Sequence, residues 1–241
     1  MHEDGRSRAP VSDDRAARGA IAAEARYKLI CCKVFRREMA AAISASPNLV
    51  DPEFLELGLH ERPDELRARL QERIDAIEPS AERYDAILLG YGLCGNGTAG
   101  LRARGVPLVL PRAHDCCTIL LGSRAAFLES FGSALSASWS SAGNIDRASA
   151  ERRRLWDILC PETVEKELRF IEMPETEGLG CAELMRAKAA EEGRAFVLLR
   201  GDSRLLRALL AGAWDEEEFL VVPPGKSIVG LYDHERIIAA E

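Results

Sequence analysis

The sequence predicts an α/β protein: a mostly parallel sheet flanked by helices on both faces, of the three-layer, doubly wound type. Two observations carry this. The runs Asp85-Ala86-Ile87-Leu88-Leu89-Gly90 and Val106-Pro107-Leu108-Val109-Leu110 are apolar throughout rather than alternating, as strands covered on both faces are. Further apolar runs alternate along the chain with segments of helical composition, the spacing that crossover connections require.

In chain order, residues 1–26 mix charge, Ala, Ser and Pro without periodicity and are expected to form a mobile tail ahead of a single α/β domain over 27–241. Tyr27-Lys28-Leu29-Ile30-Cys31-Cys32 reads as a buried strand, and Phe35 to Ser44 as a helix that Pro47 ends. Phe54 to Leu57 alternates like a strand. Pro63, Asp64 and Glu65 open a helix whose buried side carries Leu66, Leu70, Ile74 and Ile77. After the two apolar strands, the Ser, Ala and Gly content of 132–144 predicts a long loop, followed by a helix over 150–159. Strands are then expected at 168–173, 195–199 and 219–222, with helices at 181–191 and 203–210.

Composition narrows the function. Hydrophobic residues make up 47% and charged residues 29% of 241, enough for an ordinary core. A net charge of -7 repels phosphate backbones, and the Arg152-Arg153-Arg154 run reads as a solvated helix face, so no nucleic-acid partner is expected. No apolar run has the length of a membrane span or of a secretory signal, so the expected location is the cytoplasm, with no membrane partner. In a reducing compartment the 7 cysteines are expected as thiols, metal ligands or redox groups.

Ligands of doubly wound sheets bind outside the carboxyl ends of the strands. Three cysteine sites fall there: Cys31 and Cys32 close the first strand, Cys94 sits in a glycine-rich loop after the third, and Cys116 and Cys117 follow the fourth. One reading brings Cys32, Cys94 and Cys116 together as three thiolate ligands, with His114 as a further group, for zinc or a [4Fe-4S] cluster with one exchangeable iron. A second makes Cys116 or Cys94 a nucleophile, with His114 as base and Arg112 holding an anionic small-molecule substrate. Gly92, Gly95 and Gly97 are candidate cofactor-contacting positions in the loop, and His60 lies at another strand-to-helix junction. Buried thiols also behave as small hydrophobes, the preferred reading for Cys160 and Cys181; Asp115 is expected to cap a helix. Pro224-Gly225-Lys226-Ser227 resembles the end of a phosphate loop, but Leu220 stands where its first glycine belongs.

Three segments, Gly58-Leu59-His60-Glu61-Arg62-Pro63, Leu89 through Gly97, and Pro111-Arg112-Ala113-His114-Asp115-Cys116 with the later Leu121-Gly122-Ser123, resemble in order the signatures of the domain of unknown function family 1638. By that resemblance the functional positions are Cys32, Glu38, His60, Cys94, Arg112, His114, Asp115 and Cys116. Lys33 departs from a frequent family glycine, and the loop around Phe131 lacks an aromatic-rich stretch. The resemblance also implies an association with corrinoid-dependent methyl transfer, hence a corrinoid or methyltransferase partner. A thiolate-bound zinc fits such chemistry, because it activates a thiol for methylation.

Overall fold

The structure, a computed structural model, describes residues 24–77, 84–132, 138–145, 166–231, 233 and 235–241. Residues 1–23 of the expected tail, the helix over 150–159, the Arg152-Arg153-Arg154 run and Cys160 lie outside the described residues, while Arg26, expected as the end of that tail, opens the first strand.

The central sheet is ordered β2-β1-β3-β4-β8. Strand β1 (Arg26–Cys32) pairs in parallel with β2 (Leu49–Leu55) on one side and β3 (Ala86–Gly90) on the other. Strand β4 (Leu108–Pro111) continues the parallel order, and β8 (Phe219–Val222) closes the far edge antiparallel to β4. Every residue of β3 and β4 is buried, which accounts for their unbroken apolar sequence.

Strand β2 begins at Leu49, earlier than the alternation at Phe54 suggests. Its first half, Leu49-Val50-Asp51-Pro52-Glu53, carries a proline and two carboxylates that an interior strand would reject. An edge strand tolerates them because one side needs no ladder hydrogen bonds. Lys28 reaches across from β1 to Asp51 at 3.1 Å and Glu53 at 3.7 Å, and the Tyr84 hydroxyl donates to Asp51 at 2.6 Å.

Helix α1 (Arg36–Ser44) connects β1 to β2, and α2 (Pro63–Asp75) connects β2 to β3. Pro63 at the start of α2 gives up no intrahelical hydrogen bond, and Asp64 and Glu65 complement the positive end of the helix dipole. Leu66, Leu70 and Ile74, one turn apart, are fully buried, while Ile77 is only partly so. Because β1 leads to one neighbour and the chain then returns past it to β3, the direction of winding reverses between β1 and β3. Loops part there and leave a crevice.

The expectation of one sheet is corrected. Strands β5 (Trp139–Ser141), β6 (Glu167–Glu172) and β7 (Ala195–Arg200) form a separate parallel sheet ordered β5-β6-β7. The end of the expected 132–144 loop is therefore β5 followed by the short α5 (Ala142–Ile145), which the small polar residues of that stretch concealed. Helix α6 (Cys181–Glu191) covers this sheet through Ala182, Met185 and Ala189 against Leu168 and Phe170. Helix α7 (Arg204–Ala211) instead buries Leu205, Leu206, Leu209 and Leu210 against α1, β3 and β4. Ile171 and Met173, at the end of β6, join the core of the larger sheet. Two further strands, β9 (Ile228–Gly230) and β10 (Ile238–Ala240), form an antiparallel hairpin that the sequence did not announce.

Candidate functional site

At the end of β1, side-chain alternation sends Cys31 and Cys32 to opposite faces of the sheet. Cys31 is fully buried beside Gly90, its partner on β3, and its thiol donates weakly to the carbonyls of Cys32 at 3.4 Å and Gly90 at 3.8 Å. A Cβ at Gly90 would lie 2.3 Å from the Cys31 sulfur, so the glycine exists to admit that sulfur. Cys31 is thus a packing thiol, and burial pushes its pKa well up.

Cys32 faces the crevice. Cys116, at the first position of α3 (Cys116–Leu120), lies near enough to Cys32 and Cys94 for its thiol to interact with both. Cys32 and Cys94, carried by two separate segments, thus both act on the Cys116 thiol. Cys116 keeps its proton, held well up by those two contacts and by burial. Its hydrogen bond to Cys32, helped by the Val34 N–H, lowers the Cys32 thiol. Among the described residues, no set of three or more His, Cys, Asp and Glu side chains is already spaced as a metal cage.

Backbone hydrogen bonds fix two of the three. The loop after β3 is stitched to the loop after β4: Leu93 N–H donates to the Ala113 carbonyl and Cys94 N–H to the His114 carbonyl, each at 2.8 Å. Gly92 permits that approach, since a Cβ there would sit 2.5 Å from the Ala113 oxygen. Gly97 accommodates Leu66, and Gly95 takes a φ of 63° beside the His60 carbonyl. All three glycines thus have packing or conformational work within the chain. Cys94 itself is held at φ 48°, a left-handed conformation costly for a residue with a side chain and typical of functional loops.

Asp115 caps α3 as expected, accepting from the N–H groups of Cys117 at 3.0 Å and Thr118 at 3.3 Å. Trp139 of β5 also hydrogen-bonds to it, and burial raises its pKa against the lowering effect of those donors and of His60. His60, exposed in the turn before α2, therefore stands on the rim beside Asp115. Cys117 is fully buried, with burial and the charge of Asp115 pushing its thiol up, and so belongs to the core.

Arg112 is engaged elsewhere. Its guanidinium donates to the carbonyls of Glu216 at 2.8 Å, Arg236 at 3.1 Å and Ile238, clamping the C-terminal segments onto β4. His114 is half-buried, its ring 6.5 Å from that of Phe127 in α4 (Arg124–Phe131). Glu38, in the first turn of α1, is 1% exposed.

Tyr91 was missed in the sequence. It is 2% exposed, its hydroxyl has no hydrogen-bond partner among the described residues, and its phenol pKa is raised first by burial and then by Cys32, Cys31, Cys116 and Cys94. The hydroxyl thus lies buried in the field of the cysteine cluster. The available signal was an aromatic residue with a polar tip between Gly90 and Gly92 at a strand end.

The family described as Protein of unknown function (DUF1638) matches residues 54–177, just over half of the chain. The chain belongs to this family. Within the DUF1638 segment lie His60, Tyr91, Cys94, Arg112, His114, Asp115 and Cys116, whereas Cys32 and Glu38 precede it. No curated protein and no solved structure matches the chain. None of the described helices is long and apolar enough to cross a membrane.

Proposed function

We propose that Cys32, Cys94 and Cys116 bind a thiophilic metal, zinc or a [4Fe-4S] cluster with one exchangeable iron, in a cytoplasmic protein of one-carbon, corrinoid-linked methyl-transfer metabolism. The observation that carries this reading is that Cys32 and Cys94, from two other segments, both act on the buried Cys116 thiol. Three thiolates and one open position are the donor set for a metal that must still accept a small molecule.

Tyr91 adds support. A buried hydroxyl without an acceptor costs about 1–3 kcal/mol, and neutral thiols accept poorly. A metal-bound thiolate, or a ligand in the open position, would supply the acceptor that Tyr91 lacks. His114 and His60 would flank the opening, and a thiol or other small nucleophile bound to the metal is the substrate class that fits methyl transfer.

The test is elemental analysis and an absorption spectrum of protein purified without oxygen. Stoichiometric zinc without colour, or iron and sulfide with a brown colour, is the expected outcome, and Cys116→Ala should lower metal content most because it removes the central sulfur. Metal-free protein in which Cys32 alone reacts rapidly with an alkylating reagent would replace this reading with a nucleophilic one. In that case Cys32 would be the sulfur activated by the Cys116 thiol and the Val34 N–H.

A further inference from the structure

A second polar group lies at the carboxyl ends of β1, β6 and β7, apart from the sulfurs. Glu38 enters it from α1, Glu175 from the 3-10 turn Pro174–Thr176 after β6, and Ser203 from the segment after β7. The Ser203 hydroxyl, fully buried, donates to one oxygen of Glu175. Among the described residues, the other Glu175 oxygen and both oxygens of Glu38 are buried with no hydrogen-bond partner. The two carboxyl groups feel each other's charge across the contact between α1 and the turn. Arg37, the cation nearest to Glu38 in the sequence, directs a guanidinium N–H to the Ala142 carbonyl at 3.3 Å.

Buried carboxyl oxygens that lack hydrogen-bond donors and stand near a second carboxylate are costly in a protein interior. Among the described residues, three carboxylate oxygens there lack hydrogen-bond partners, while Ser203 donates to the fourth and the Arg37 charge partly offsets that of Glu38. These atoms come from separate elements of two sheets, so the arrangement is made by tertiary structure rather than by one acidic stretch.

We infer that Glu38, Glu175 and Ser203 form a binding site for a divalent, oxygen-seeking cation of the Mg2+ or Mn2+ type. Such ions are commonly held by one or two carboxylates, with water or a substrate oxygen filling the remaining positions. Carboxylate and hydroxyl oxygens select against the soft metals that sulfur prefers, so this site stands independently of the thiol site.

The experiment titrates the chelator-treated full chain with Mn2+ and follows loss of the free aquo-Mn2+ resonance by electron paramagnetic resonance. One Mn2+ per chain is expected. Glu38→Gln and Glu175→Gln should each weaken binding at least tenfold, Ser203→Ala should weaken it less, and combined alanine substitution of Cys32, Cys94 and Cys116 should leave it unchanged. Wild-type protein that leaves Mn2+ free overturns the proposal, as does equal binding by either glutamine variant. Circular dichroism of each variant without metal checks folding, and if one glutamine variant fails to fold, the other decides.

Discussion

At the scale of single residues, the site depends on close approaches that only particular side chains permit. Gly90 is the clearest, because any Cβ there would collide with the Cys31 sulfur. Gly90→Ala is expected to destabilise by about 1–3 kcal/mol, the usual range for overpacking, and Cys31→Ala in the same chain should recover part of that loss. Chemical denaturation of the two single variants and the double variant measures the coupling. Glu38 makes a different prediction. Burial pushes its carboxyl up to about 6 from an ordinary 4.5, so the folded state binds the proton more tightly than the unfolded chain does. The stability this group allows is therefore fully present below about pH 4.5 and is lost as pH rises through about 6, to a total of about 2 kcal/mol. In chelator-containing buffer, Glu38→Gln should remove that pH-dependent component from denaturation curves. A profile identical to wild type would contradict the assignment. The sequence made Cys32, Cys94 and Cys116 legible because thiols at strand ends and in a multi-glycine loop are poorly explained as core. It could not show that Arg112 spends its guanidinium on backbone carbonyls, since those carbonyls lie more than 100 residues away in the chain.

At the scale of elements, the strands and helices with strong patterns were read correctly, and the departures share one cause. Edge strand β2 tolerates a proline and charge, and β5 is built of Trp139, Ser140 and Ser141; neither carries the apolar run that marks a covered strand. Helix α6 begins at Cys181 and ends at Glu191 as expected, because left-handed Gly180 precedes it and Gly193 follows. The short α5 matters more than its length suggests. Gly143 lies so close to the turn after β1 that a Cβ would sit 2.0 Å from the Val34 carbonyl oxygen. Gly143→Ala should push α5 off that turn, costing about 1–3 kcal/mol. It should also speed alkylation of Cys32, one residue before the turn. Thiol-reaction rates mapped by peptide mass spectrometry check this, and an unchanged Cys32 rate would show that α5 does not brace the site.

At the scale of the whole molecule, the alternation of strands and helices announced a parallel α/β architecture but not its division into two sheets. Sequence spacing gives the order of strands along the chain; which strands pair depends on long-range packing, and β4 pairs with β8 rather than with β5. The packing grades the cysteines. Cys31 and Cys117 are fully buried in the core that joins both sheets, whereas Cys181 is half-exposed at the start of α6. Under native conditions Cys181 should therefore react with an alkylating reagent at once, while Cys31 and Cys117 should react only at the rate of global opening. Early labelling of Cys117 would mean that α3 opens as a local unit.

The stitch between the loops after β3 and β4 has a consequence for the order of events in the cell. Leu93 and Cys94 are hydrogen-bonded to Ala113 and His114 by the backbone alone, so the distance between two of the sulfur-bearing segments is set before any guest arrives. Little ordering entropy remains to be lost on loading. Under the proposed metal-binding reading, the polypeptide would fold before it takes up the metal, and a strong chelator should strip it without melting it.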